Sequence, residues 1–182
     1  MALDLFTSPA FVWTSALLLA GIFLPSAWSK LRAMDELEGI VADYRLLPEP
    51  FVRPVARTLP ILEIGAGLLL LVPATRASGA LLAMALLSVF ALAMAINLAR
   101  GRREIDCGCF LGRQKERIGW PLFARNLVLV ALAAPLAAVE PASSPGLLDG
   151  FTVLFAAGSL LALYAAFSRL AGLAPLRRLR RA

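Results

Sequence analysis

Apolar residues in this chain do not alternate with polar ones; they run together. Five runs are long enough, or nearly so, to cross a bilayer core about 30 Å thick, which takes roughly 20 helical residues. They cover residues 9–28, 54–72, 77–99, 120–139 and 147–167. The third carries no charge, and the second carries one acid, Glu63. Trp13, Trp28 and Trp120 stand near run ends, where amphipathic rings anchor to lipid headgroups. The first run has no basic segment before it and no clear small-residue cleavage site after it, so it reads as a retained helix.

Between the first two runs the pattern changes. Leu31, Met34, Leu37, Val41 and Tyr44 recur at spacings of three and four, with Asp35, Glu36, Glu38 and Asp43 between them. That period predicts an amphipathic helix over about 30–45, lying on the membrane surface or covering the bundle. Pro48-Glu49-Pro50 ends it, and Pro54 suits the first turn of the second span. Pro25, Pro60 and Pro135 are expected to kink their spans. Gly65, Gly67, Gly79, Ala80 and Ala83 permit close helix approach. Residues 100–119 form a polar loop, and 73–76 and 140–146 form tight turns. The expected fold is an all-α integral membrane protein with about five transmembrane helices and an interfacial helix. It forms a single membrane domain over 1–182, with no separate soluble domain.

Composition supports this. Of 182 residues, 60% are hydrophobic and 16% charged, and mean hydropathy is +0.79. A soluble domain is nearer half apolar and a quarter charged. There is no His, which removes the usual general base and any imidazole metal ligand.

The net charge of +6 would suggest nucleic acid in a soluble protein. Here it sorts by topology. With five spans, every Lys and Arg except Arg76 falls on one side of the membrane, which the positive-inside rule makes cytoplasmic. The N-terminus is then periplasmic and the C-terminus cytoplasmic. The basic tail 176–181 is a topology anchor touching anionic lipid, and no nucleic-acid partner is required.

Candidate chemistry lies in Asp106-Cys107-Gly108-Cys109, which holds both cysteines of the chain. Two thiols separated by one Gly would close a very small, strained disulfide ring, and strained exposed disulfides are labile. Arg102, Arg103 and Arg113 would favour thiolate, and Asp106 would oppose it. The pair therefore suits thiol–disulfide exchange. Inert cysteines, or half of a soft-metal site shared with a second chain, are the alternatives.

A second feature is charge inside the apolar runs. Glu63 lies in the second span, Arg125 in the fourth, and Lys30 at the end of the first, with Asn97 and Asn126 at related depths. Intramembrane ionisable groups usually face the bundle interior and pair. These five are expected to form one polar cluster beneath the cysteine loop. Glu63 paired with Arg125 or Lys30 would fix helix packing; alternatively, the cluster would hold a quinone head or pass protons.

Several segments resemble the MauE methylamine-utilisation family, which is related to DoxX-like membrane proteins. They are Trp28-Ser-Lys-Leu-Arg32, Ile40-Val-Ala-Asp-Tyr-Arg-Leu-Leu-Pro48, Leu59-Pro-Ile-Leu-Glu63, Ala95-Ile-Asn-Leu-Ala-Arg-Gly101 and Ile105-Asp-Cys-Gly-Cys109. The resemblance implies a four-helix DoxX-like core plus a C-terminal helix, in a bacterial inner membrane. It implies maturation of the disulfide-rich periplasmic small subunit of methylamine dehydrogenase, beside a thioredoxin-like, MauD-type partner. Cys107 and Cys109 would be the redox pair, and Glu63 and Lys30 match polar positions of DoxX-like bundles. A non-enzymatic scaffold for the thioredoxin-like protein is the first alternative, and a DoxX-like quinone-linked oxidase subunit the second. Charge puts the cysteines on the face opposite the implied client. The loop would then re-enter the bundle, electrons would cross the membrane through the protein, or the chain would have a role unrelated to this client.

Overall fold

A computed structural model of the chain describes residues 8–108, 117–138 and 147–179. They form six α-helices: α1 (Pro9–Arg32), α2 (Met34–Asp43), α3 (Glu49–Leu71), α4 (Arg76–Ala99), α5 (Trp120–Ala138) and α6 (Leu147–Leu179). A single 3-10 turn, Pro73–Thr75, joins α3 to α4. Five helices, all but α2, are long and apolar enough to cross a membrane. The all-α membrane architecture expected from the apolar runs is thus found.

Local chemistry sets the helix ends. The Ser8 hydroxyl accepts from the Phe11 amide at 3.3 Å, and Pro9 follows in the first turn, where its missing N–H costs nothing. At the other end Ala33 leaves helical geometry (φ −134°, ψ 53°), which separates α1 from α2. Lys30 and Arg32 occupy the last turn of α1, where cations complement the helix dipole.

Helix α1 packs on α3 and α5, and α4 packs on α3 and α5, so these four close a ring. Helix α6 lies against α1, outside the ring. Small residues set the spacing. A Cβ on Gly79 would stand 2.7 Å from the Leu70 amide nitrogen, so α3 and α4 touch backbone to side-chain-free backbone there. Ala80 and Ala83, from the same face of α4, are fully buried. Gly67 lies equally close to the Leu24 side chain, whereas Gly65 has only ordinary contacts. The outer surface carries Ile61, Leu68, Leu81, Val128 and Phe155, all exposed. Such a girdle is costly in water and natural in hydrocarbon.

Several boundaries differ from the expectation. Helix α1 runs to Arg32, so Lys30 belongs to it rather than to the surface helix. Helix α3 begins at Glu49, with Pro48 at its N-cap and Pro50 in the first turn, so Pro54 is interior. Helix α6 continues to Leu179. In each case the backbone keeps its hydrogen-bond ladder beyond the apolar run, since water or headgroups solvate the polar end. The prolines at 25, 54, 60 and 135 sit within continuous helices. The segment 140–146, expected to form a tight turn, lies outside the described residues.

The tryptophans divide. Trp28 and Trp120 are exposed at helix ends, and the Arg32 guanidinium covers Trp28 at 4.8 Å. Trp13 is half-buried, and the buried Arg76 stacks on its ring at 4.1 Å. Cation–π contact within the bundle, rather than lipid anchoring, accounts for its position.

Candidate functional site

The surface helix α2 is amphipathic as expected, but its buried side chains are Leu37 and Ile40. They pack on Ala56 and Leu59 of α3. Its far end is pinned by two side chains, one from the last turns of α4 and one from just beyond it. Arg102 donates from Nη2 to the Asp43 carbonyl at 2.8 Å and from Nη1 to the Asn97 amide oxygen at 2.9 Å. Asn97, fully buried on α4, donates from Nδ2 to the Tyr44 and Ala93 carbonyls, both at 3.1 Å. These bonds satisfy carbonyls that a helix C-terminus leaves open. They also fix the start of the cysteine loop against α2.

The loop then closes on itself. Asp106 and Arg117 form an antiparallel bridge, and the Ile118 amide donates to the Ile105 carbonyl at 2.9 Å. Ile105 and Ile118 are buried with Met94, Leu98 and Leu122, so the loop base is seated in the end of the bundle. Cys107 packs on this cluster beside Tyr44 and Phe123. Gly108 follows with φ +70°, a left-handed conformation that disfavours other side chains. Cys109 lies outside the described residues, as do Arg113 and Lys115.

Cys107 meets two environments. On one side is Arg125 of α5, whose Nη2 lies 3.9 Å from the sulfur. Arg125 is 7% exposed; its Nη1 donates to Ser168 Oγ at 2.8 Å, and its guanidinium lies 5.1 Å from the Tyr164 ring. On the other side is an apolar cavity of about 390 Å³ between α2, α3 and α4. Leu37, Leu59 and Phe90 line it, with Lys30 and Cys107 as its reactive walls. Its volume falls in the range of small-molecule sites.

Lys30 is also half of a buried ion pair. Its ammonium contacts a Glu63 carboxylate oxygen and donates to Ser26 Oγ at 3.0 Å, while Ser26 donates to the other Glu63 oxygen at 3.3 Å. Phe90 presents its ring at 5.4 Å from the ammonium. Glu63 is 1% exposed and 14 residues into α3, or about 21 Å along it. Charge pairing with two hydroxyl bonds meets the condition under which buried charge is tolerated.

The five intramembrane polar residues therefore do not form a single cluster. Lys30 and Glu63 pair at one place, Asn97 pins the loop at another, and Arg125 attends Cys107 at a third. Asn126 is buried on α5, with no partner for its amide nitrogen among the described residues. Arg125 contacts Cys107, Ser168 and Tyr164, and the charge of Glu63 is answered by Lys30. Arg102, expected beside the thiols, is occupied in capping α2. Sequence reasoning missed Ser26, Ser168 and Tyr164. Ser26 stands four residues before Lys30, on the same helical face, and that spacing could have found it. Nothing in the spacing marks Ser168.

The fold and site together define a multi-pass α-helical membrane protein with a cysteine loop seated in one end of its bundle. Its relatives narrow this further. A family model described as methylamine utilisation protein MauE matches residues 8–139. The chain is 42% identical over 171 residues to "Methylamine utilization protein MauE" of Paracoccus denitrificans, covering 93% of this chain and 92% of that one. It is 45% identical over 166 residues to the protein of that name in Paracoccus versutus, covering 91% and 89%. The corresponding protein of Methylorubrum extorquens is 43% identical over 161 residues, covering 86% and 83%. The chain belongs to the MauE family of methylamine utilisation proteins. No solved structure matches it.

Proposed function

We propose that this protein is a membrane thiol–disulfide redox protein in which Cys107 and Cys109 are the exchanging pair. It serves disulfide formation in a periplasmic client, by family resemblance the methylamine dehydrogenase small subunit, together with a thioredoxin-like partner of the MauD type. The observation that carries this reading is the setting of Cys107. The sulfur contacts a buried guanidinium, and Cys107 lines a cavity, on a loop tied down on both sides. An inert cysteine at a membrane edge needs none of these. In exchange, a thiolate attacks a disulfide sulfur, a mixed disulfide forms, and the displaced sulfur takes a proton. The attacking protein's second thiolate then breaks the mixed disulfide, leaving that protein oxidised and the Cys107–Cys109 pair reduced.

The protein resides in a bacterial inner membrane, with its N-terminus periplasmic and C-terminus cytoplasmic, on the strength of its charge distribution. Replacing either cysteine by Ser is expected to abolish client maturation with normal membrane levels of the protein. Normal maturation in Cys107→Ser/Cys109→Ser would overturn the proposal and favour the scaffold reading.

The cavity favours one second reading, a quinone-linked oxidase. Its apolar walls suit a lipid-soluble quinone, whose ring would be held beside Lys30 and Cys107, which line the cavity. Two thiols would become a disulfide, and their two electrons and two protons would reduce quinone to quinol. Purified protein free of quinone and inert to added quinone would remove this reading.

A further inference from the structure

We propose that Arg125 is the positioning residue of the cysteine site, holding Cys107 as a thiolate, and that α6 is part of that site because it anchors Arg125. This rests on the redox reading of Cys107 and adds a residue and an element to it. Loop spacing pointed to Arg102, Arg103 and Arg113 as the cations of the thiol; Arg125 was expected in the polar cluster beneath the loop, and α6 was not expected there.

Arg125 lies five residues past the start of α5, about 7.5 Å along its axis. Its guanidinium is buried, and one nitrogen faces the Cys107 sulfur at 3.9 Å. A cation within about 4–6 Å favours the charged form of an acid, the more so away from water. Tyr44, at the C-terminal cap of α2, packs on the same apolar cluster as Cys107, Lys30 of α1 lines the same cavity and pairs with Glu63, and Asp106 precedes Cys107 in the loop. Lys30 is engaged by the Glu63 carboxylate, whereas a guanidinium nitrogen of Arg125 faces the sulfur directly.

The guanidinium is held from the far side. Ser168, itself buried, accepts from Nη1 at 2.8 Å, and Tyr164 offers its ring face one turn earlier on α6. The family model ends at residue 139, before α6 begins. The last helix therefore contributes to the sulfur's surroundings through Arg125, although it lies outside the region that defines the family.

The test uses full-length protein in detergent with Cys109→Ser, which leaves Cys107 as its only thiol. The rate of alkylation by iodoacetamide is followed against pH. Only the thiolate forms the S–C bond and expels iodide, so the profile reports ionisation, and its alkaline plateau reports access. Arg125→Gln is expected to slow alkylation at pH 7 about tenfold with the plateau within about twofold of the parent. Arg125→Lys is expected to keep the parental profile, and Ser168→Ala to slow the reaction at pH 7 about threefold. A parental profile in Arg125→Gln overturns the proposal, and so does a Lys variant as slow as the Gln variant. If Arg125→Gln does not fold, Ser168→Ala decides, and an unchanged profile there overturns it. Client maturation in Cys107→Ser tests the redox reading separately, so the two can fail independently.

Discussion

Buried polar residues in this chain answer one another by local opportunity. Glu63 is met by Lys30, the cation that α1 delivers to the same depth, with Ser26 on the same face supplying a hydroxyl to both. Removing one partner strands a buried charge, which costs about 3–5 kcal/mol, whereas removing both is close to neutral. Lys30→Met is therefore expected to unfold at markedly lower denaturant than the parent, and Lys30→Met/Glu63→Leu to recover most of the loss. Additive losses in the double variant would contradict the pairing. Gly108 is a second such point. Its φ of +70° and the 3.3 Å approach of a Cβ there to Ile40 predict that Gly108→Ala costs about 1–2 kcal/mol, read from thermal unfolding. At this scale the sequence was informative where chemistry is rare. Two cysteines in one loop and one acid in an apolar span stand out. Arg102 does not, because a cap on α2 looks like any other loop charge until the carbonyls of Asp43 and Tyr44 are placed beside it.

Elements are legible wherever the apolar run is long, and their ends are not. Hydropathy senses the thickness of the hydrocarbon, while a helix stops where its hydrogen-bond ladder does. Thus α1 passes its run by four residues and α3 starts five residues early. The contact between α3 and α4 depends on Gly79, whose missing side chain lets the helices meet at backbone distance. Gly79→Leu is expected to force α3 and α4 apart and to reduce yield and thermal stability sharply, with Gly65→Ala nearly silent in the same assay. Equal effects would show that the crossing point lies elsewhere. Arg102→Ala is expected to free the end of α2, so that proteolysis between α2 and α3 becomes several-fold faster while the transmembrane helices stay intact.

For the whole molecule, the five apolar runs announced a membrane bundle, but not which helices touch. Ala/Leu-rich spans are alike in composition, and the ring of α1, α3, α4 and α5, with glycines at its α1–α3 and α3–α4 contacts, is revealed only by the packed chain. The same packing draws the cysteine loop into the bundle end, where Met94, Leu98 and Leu122 receive it. Direct access to Cys107 is then from the cavity or the loop side. The charge distribution predicts that a membrane-impermeant maleimide labels the reduced cysteines in inverted vesicles and not in intact spheroplasts. Labelling in spheroplasts would place the loop on the periplasmic face.

The central claim is that the two cysteines change redox state in service of a client. Its most direct measurement is thiol trapping in cells growing on methylamine, quenched in acid and alkylated with and without prior reduction. Mass spectrometry of the purified protein then counts modified cysteines. The account predicts a population in which neither Cys107 nor Cys109 is alkylated until reductant is added. Two alkylated cysteines in every molecule without reductant, at every stage of growth, would contradict it.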